Sequence, residues 1–352
     1  MTIDRVTLTR RGALGAALAV AASVPLASRA SAADAPPRLT LPPPTGPFPV
    51  GTTVRPLVRG DRVLMTSLWY PARDAGRYPR APWLAPAVVR ELLVSAGFPP
   101  DAVLGPLTAG RLGAPGRRGG ERLPVVLYSH GAHDHRAGNT VVVQELASHG
   151  YLVVTVDHTG DAFTQLPDGR VLTPDPDVPM YPDDFAADIR FVLDHLGELT
   201  AGRHDPHRIG LFGWSKGATA ITHVMFAERR VRAGLSLDGP MEPEVPDVLD
   251  RPLMLMTAEF TRAAYPSVAT LWSHLHGWRR NVQVTGAEHS SYTDYQVLLP
   301  QMGQPVGILD PARAVRIQQA YPLAFFDRHL RGRPAPLLDG PSPAFPEVEF
   351  IP

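Results

Sequence analysis

Apolar positions fall along this chain in two rhythms. Short, nearly unbroken apolar runs occur at 123–128, 151–156, 208–212, 231–237, 253–257 and 281–285, each about the length of a strand buried on both faces. Between them the spacing is helical. Residues 139–149 form an amphipathic stretch with Gly150 placed to end it. Residues 184–196 put Phe185, Ile189, Val192, Leu193 and Leu196 on one face, with Asp188 and Arg190 outside. Residues 218–229 carry Ile221, Met225 and Phe226 at the same period, and a helical stretch near 267–278 separates the last two strands. Upstream, 63–70 reads as an early strand. The Gly- and Pro-rich segment 72–121 is too long for a plain connection, so a helix is expected within it at 86–96. Alternation of this kind predicts an α/β fold, a mainly parallel sheet covered by helices on both faces, with its site at the carboxyl ends of the strands. No internal repeat is visible.

Composition narrows the setting. The chain has 352 residues, 44% of them hydrophobic, and a formal net charge of zero, which argues against a nucleic-acid partner. No cysteine occurs, so stability rests on the core rather than on disulfides. Arg10-Arg11, an uncharged run from Gly12 to Ala27 and the small-residue triplet Ala30-Ser31-Ala32 read as a twin-arginine export signal over 1–32 that is removed, giving a secreted protein with no stable membrane span. The remaining chain divides into a proline-rich arm (33–60, extended over 33–50), an α/β domain (61–332) and a proline-rich tail (333–352).

The chemistry centres on Gly213-Trp214-Ser215-Lys216-Gly217, set between an apolar run and a helical stretch. A G-x-S-x-G turn from strand to helix is a nucleophile elbow, tight enough that the flanking positions have little room for side chains, and it presents Ser215 above the sheet. A hydroxyl needs a base. His289, in the small-residue loop Gly286-Ala287-Glu288-His289-Ser290-Ser291-Tyr292 after the last run, is the candidate. A carboxylate must hold the imidazole, and two compete. Glu259 suits the commonest plan of such folds; Asp238, preferred here, stands at the tip of its strand, where an unpartnered carboxylate would be costly. The oxyanion hole needs two amides, sought at Lys216, which opens the elbow helix, and at Ala132, in Ser129-His130-Gly131-Ala132 after the 123–128 strand.

Other polar groups are read more plainly. Lys216 is the only lysine of the chain, and its ammonium is expected either to meet an acidic neighbour or an anionic substrate group, or to stand solvated. His130, His133, Asp134 and His135 do not make a completed metal-ligand set. Asp157, His158 and Asp161 suit capping and loop hydrogen bonds better than substrate contact. Residues 159–182 are read as a lid carrying Phe163, Leu166, Met180 and Tyr181, and Leu84, Leu92, Leu93, Val94 and Phe98 as core or as the wall of an acyl pocket.

Tyr128-Ser129-His130-Gly131, the elbow, Leu237-Asp238, the Gly-x-x-His loop before Tyr292, and upstream Pro44-Thr45-Gly46-Pro47-Phe48-Pro49-Val50-Gly51-Thr52 and Leu68-Trp69-Tyr70-Pro71-Ala72 together resemble the platelet-activating factor acetylhydrolase family of α/β-hydrolases, in its plasma and type II branch and their bacterial relatives. The resemblance covers most of the chain after the signal. It implies an α/β-hydrolase fold, a Ser215–His289–Asp238 triad, and calcium-independent hydrolysis of short or oxidised acyl chains from phospholipids, with no cofactor and no metal. Glu259 then becomes a supporting residue. Trp214, Lys216 and Ala218 depart from the family pattern, so the substrate transfers less securely than the plan. Candidate substrate contacts are His130, Trp214 and Tyr292, with a small-molecule or lipid ester as partner and a lipid surface as a transient one. The rivals are a broad carboxylesterase, lipase or polyester hydrolase, and a catalytically silent binding protein.

Overall fold

The computed structural model describes residues 35–244 and 247–352; the export-signal segment, 1–32, lies outside them. Among the described residues the chain forms, in order, β1 (Val50–Arg59), β2 (Arg62–Pro71), β3 (Arg80–Pro82), α1 (Pro86–Ser95), β4 (Leu107–Leu112), β5 (Leu123–Ser129), α2 (Thr140–Ser148), β6 (Leu152–Val156), β7 (Thr164–Gln165), β8 (Val171–Leu172), α3 (Pro182–Asp194), α4 (Leu196–Leu199), β9 (His204–Trp214), α5 (Lys216–Ala227), β10 (Val231–Leu237), β11 (Leu253–Thr257), α6 (Pro266–His274), β12 (Arg279–Val284), α7 (Tyr295–Gln301), α8 (Pro311–Arg331) and β13 (Val348–Ile351).

Eleven strands make one sheet in the order β13-β12-β11-β10-β9-β5-β6-β2-β1-β4-β3. Its centre, β12 to β6, is parallel throughout, and antiparallel pairs extend it at both ends. Beyond β5 the chain adds β6 on one side, then returns to lay β9 on the other and continues away through β10, β11 and β12. The carboxyl ends of β5 and β9 are therefore a topological switch point, where loops diverge and leave a crevice. One face of the sheet is covered by α3, α5 and α6 through Phe185, Ile189, Ile221, Met225 and Leu271, the other by α2 and α8 through Val142, Leu146, Ile317, Phe325 and Phe326. Among the described residues no helix is long and apolar enough to cross a membrane.

Four features depart from the sequence reading. First, α2 is not amphipathic toward solvent: all nine of its residues are buried. The proline-rich arm lies across it, with the Glu145 carboxylate accepting from the Thr45 amide (2.7 Å), the Gln144 side chain donating to the Pro42 carbonyl (2.7 Å) and the Gly46 amide donating to the Ser148 hydroxyl (3.1 Å). The approach at Gly46 is so close that a Cβ there would lie 2.4 Å from the Ser148 carbonyl oxygen. The arm is thus fixed by α2's polar face, and it ends at β1, whose ten residues belong to the sheet and not to the arm.

Second, Asp188, expected outside, is completely buried, because the β1–β2 hairpin delivers Arg59 (2.6 Å) and Arg62 (2.8 Å) to its carboxylate. Third, α8 was not anticipated, although its signals are present: Asp310 accepts from the Arg313 amide (3.0 Å) as N-cap, Pro311 follows it, and Gly332 ends it at φ 65°. Fourth, the C-terminal tail is not wholly irregular, since β13 pairs antiparallel with β12 and closes that edge of the sheet.

Candidate active site

Three adjacent strand ends build the site. The register pairs Ser129 of β5 with Gly213 of β9, and Leu237 of β10 with Trp214 of β9, so the loop after β5, the turn at Ser215 and Asp238 leave the sheet side by side. β9 ends at Trp214 and α5 begins at Lys216, leaving Ser215 alone between them at φ 56°, ψ −124°. A non-glycine residue held there is strained, and the surrounding contacts show what holds it. A Cβ on Gly213 would lie 2.4 Å from the Gly217 carbonyl oxygen, and one on Gly217 would lie 2.3 Å from the carbonyl oxygens of both Ser129 and His130. Only glycine lets β9, α5 and the β5 loop approach this closely.

His289 follows β12, and its Nδ1 lies 2.7 Å from Asp238 Oδ2. Asp238 is fully buried, yet its charge is well satisfied: Oδ1 also accepts from the amides of Ala258 (2.7 Å), Glu259 (3.1 Å) and Phe260 (2.9 Å) where the chain turns after β11. With the carboxylate unable to donate, the proton on this side of the ring sits on Nδ1, which leaves Nε2 as the basic nitrogen. The loop carrying the imidazole is fastened at several points. Glu259 accepts from the His289 amide (2.8 Å), the Trp214 indole N–H donates to the His289 carbonyl (2.9 Å), and the indole stacks on the imidazole with ring centres 4.7 Å apart. Phe260 meets the same ring edge-on at 5.0 Å. Glu259, the competing acid, thus orients the His289 loop through its backbone.

The amide of Lys216 is the first of α5 and, like the other first-turn amides of a helix, has no acceptor within it. Across from it, Gly131 lies against Ser215: a Cβ on Gly131 would be 3.0 Å from Ser215 Cβ. Ala132 follows immediately and is half-buried. Of the three expected substrate contacts, Trp214 flanks the imidazole, but two are corrected. His130 is sealed inside, its Nδ1 donating to the Gly131 carbonyl (2.7 Å) and its Nε2 accepting from the His158 amide (3.0 Å), so neither nitrogen is left for a substrate. Burial, reinforced by neighbouring His158, lowers its pKa to about 3 and keeps it neutral. Tyr292 is likewise buried, its hydroxyl donating to the Thr257 carbonyl (3.0 Å).

His158 accepts from the Ser129 hydroxyl (2.9 Å) through Nε2 and donates to Asp188 (3.1 Å) through Nδ1, while Asp157 pairs with Arg136. These groups tie the β5 and β6 loops to α3 beneath the site. The Lys216 ammonium is committed to Asp161 and to the Met180 carbonyl (2.8 Å). Phe163 and Leu166, expected to face substrate, are buried, Phe163 among Trp83, Leu84, Val88 and Leu93, and β7 and β8 form a small hairpin between Asp161 and Met180; Tyr181 is exposed. The same cluster absorbs Leu92 and Phe98, whereas Val94 faces solvent.

Behind the loop after β5, Asp134 accepts from the Tyr295 hydroxyl (2.9 Å) through Oδ1, while Oδ2 has no partner. Burial raises its pKa to about 8 against the opposing bonds from Tyr295 and the His135 backbone. Burial likewise raises Asp294 to about 7 and, with the Arg136 charge, lowers His135 to about 3. A carboxyl whose folded pKa is raised adds stability at low pH that is lost as pH climbs to that value, whereas buried neutral histidines add stability above ~6.5 that is lost on acidification. His130 and His135 offset Asp134 and Asp294 below ~6.5; above it the two carboxyl contributions are exposed, that of Asp294 to about 7 and that of Asp134 to about 8, the latter falling by about 1.4 kcal/mol per pH unit. Urea unfolding of Asp134→Asn across this window is expected to show a markedly shallower decline than wild type, the remainder coming from Asp294 below about 7; an unchanged decline would assign it elsewhere.

Comparison with known proteins places the chain. The family model described as "Serine aminopeptidase, S33" matches residues 120–294, and that of "Platelet-activating factor acetylhydrolase, isoform II" matches 34–165. An Arthroderma benhamiae protein named "Probable 1-alkyl-2-acetylglycerophosphocholine esterase" is 27% identical, covering 93% of this chain and 97% of that one, and the Cavia porcellus platelet-activating factor acetylhydrolase is 22% identical over 83% and 78%. A ferulic acid esterase from Streptomyces cinnamoneus superposes with a TM-score of 0.79 at 33% identity, covering 89% of this chain and 99% of its own. With a switch-point sheet, a G-x-S-x-G elbow and these relatives, the chain belongs to the α/β-hydrolases and, within them, to the carboxylic ester hydrolases related to platelet-activating factor acetylhydrolase.

Proposed function

We propose that this esterase cleaves short-chain carboxylic esters through an acyl-Ser215 intermediate. The observation that carries the reading is the 2.7 Å contact of His289 Nδ1 with a buried, threefold amide-bound Asp238, whose neighbour Leu237 accepts from the amide of a strained Ser215 at an elbow. His289 Nε2 takes the Ser215 proton as Oγ attacks the ester carbonyl. The negative charge that develops on the carbonyl oxygen is met by the amides of Ala132 and Lys216, and Asp238 stabilises the imidazolium. The imidazolium then protonates the leaving alcohol, and a water activated by the same nitrogen releases the acid. No step calls for a metal or an organic cofactor.

The curated relatives' names support an acetyl ester on a glycerophospholipid as substrate. A second reading, an aromatic ester of the feruloyl type, is favoured by the higher identity to the ferulic acid esterase and by the aromatic pair Trp214 and Phe260 against the base. The Arg10-Arg11 segment supports export of the folded enzyme. A direct comparison of kcat/KM for acetyl-phospholipid, p-nitrophenyl esters of rising acyl length, methyl ferulate, triglyceride and amorphous polyester tests the assignment. Rates falling steadily beyond short acyl chains, with acetyl-phospholipid well above the polymer, are expected; comparable rates on long-chain triglyceride or polyester would replace it with a lipase or polyester hydrolase.

A further inference from the structure

Asp161, on the loop after β6, belongs to neither the proposed triad nor the elbow, yet it touches the residue that follows one proposed half of the oxyanion hole and the side chain of the other. Its Oδ1 accepts from the His133 backbone amide (2.6 Å) and lies 2.8 Å from His133 Nδ1. Its Oδ2 takes the ammonium of Lys216, which also donates to the Met180 carbonyl and lies 5.1 Å from the centre of the Phe185 ring. His133 immediately follows Ala132, and Lys216 carries the other proposed amide itself. One carboxylate, 2% exposed, therefore spans the loop after β5 and the start of α5.

Three physical points make this more than a local ion pair. The strands concerned, β9, β5 and β6, are adjacent, so a side chain from the β6 loop is correctly placed to bridge the two ahead of it. His133 sits at φ 57°, a costly conformation for a residue with a side chain, and two bonds to Asp161 offset that cost. Burial alone would raise the Asp161 pKa, but the hydrogen bond from His133 and the Lys216 ammonium overrule it and hold the group at about 2, so the bridge is charged at any pH at which the enzyme would work. Stabilising an oxyanion needs two donors fixed within a fraction of an ångström before the charge develops.

We infer that Asp161 is a positioning residue that sets the separation of the Ala132 and Lys216 amides, acting through His133 on one side and the only lysine of the chain on the other. The inference rests on the acyl-Ser215 reading. It assigns the Lys216 ammonium to the architecture of the hole and not to recognition of an anionic substrate.

The test compares wild type with Asp161→Asn on matched ester and thionoester substrates. Sulfur accepts hydrogen bonds poorly, so an aligned hole prefers the oxygen ester, and a loosened hole prefers it less. Asp161→Asn is expected to lower kcat on the ester by roughly 10- to 100-fold, with KM within about threefold, and to shrink the ester-to-thionoester rate ratio. Should that variant not accumulate as folded protein, Lys216→Met cuts one arm of the bridge while keeping the amide; a smaller ratio, with equal proportional losses on neutral and anionic esters, is expected. An unchanged ratio in the folded variants overturns the inference even if overall rates fall, because a purely structural weakening slows both substrates alike. Equal fluorophosphonate labelling of wild type and Ser215→Ala would instead overturn the acyl-serine reading, and the inference with it.

Discussion

Replacing Ser215 by alanine is expected to lower turnover by at least ~10⁴-fold and to abolish covalent labelling by a fluorophosphonate, while the folded enzyme survives. Survival follows from what the residue does apart from its hydroxyl. Its amide donates to the Leu237 carbonyl (3.1 Å), and its carbonyl accepts from the amides of Ala218 (3.0 Å) and Thr219 (3.2 Å), which start α5. These bonds are all backbone, and alanine meets the strained φ of 56° on the same terms as serine. The tight packing at the turn comes from Gly213 and Gly217, which the substitution leaves in place. Thermal unfolding within a few degrees of wild type, together with lost labelling, would place the defect in the nucleophile alone. Retained turnover would move the chemistry to another residue.

Much of this site was legible in the sequence because the elbow is a local device. Strand, tight turn and helix occur in ten consecutive residues, and steric demands on Gly213 and Gly217 are imposed by neighbours whose order is fixed by the fold. The central strands were legible for a related reason: buried on both faces, β5, β9, β10 and β11 carry apolar runs with no competing helical period. What the pattern hid was long-range pairing. Asp188 sits at a polar position of an amphipathic helix and reads as solvated, yet the β1–β2 hairpin, some 126 residues earlier, supplies its guanidinium partners. Gln144, Glu145 and Ser148 of α2 mislead in the same way, because a proline-rich arm without regular structure covers them. His130 reads as a substrate contact because it stands in the loop after β5, beside the proposed oxyanion hole; its ring turns inward, where the β6 loop satisfies it. Only α8 carried clear local signals that periodicity alone passed over, with Pro322 inside its span weakening the helical reading.

Asp238→Asn is expected to lower kcat by about 10⁴-fold with little change in stability, a loss produced by one misplaced proton. In the native enzyme Oδ1 accepts from three backbone amides, so an asparagine at this position keeps its carbonyl oxygen there; turning the NH₂ group toward Ala258, Glu259 and Phe260 would set donors against donors. The NH₂ must then face His289 Nδ1, where Oδ2 now lies 2.7 Å away. A donor in that place makes Nδ1 the acceptor and drives the ring proton to Nε2. The imidazole keeps its position, held by Glu259, Trp214 and Phe260, but its Nε2 then carries an N–H and has no lone pair with which to take a proton from Ser215. Raising the pH cannot recover the activity within the ordinary range, since the fault is a tautomer rather than a charge. A variant that retains more than about a tenth of wild-type kcat would show that Asp238 does not set the tautomer; Glu259→Gln, which leaves an acceptor for the His289 amide, is expected to lose far less.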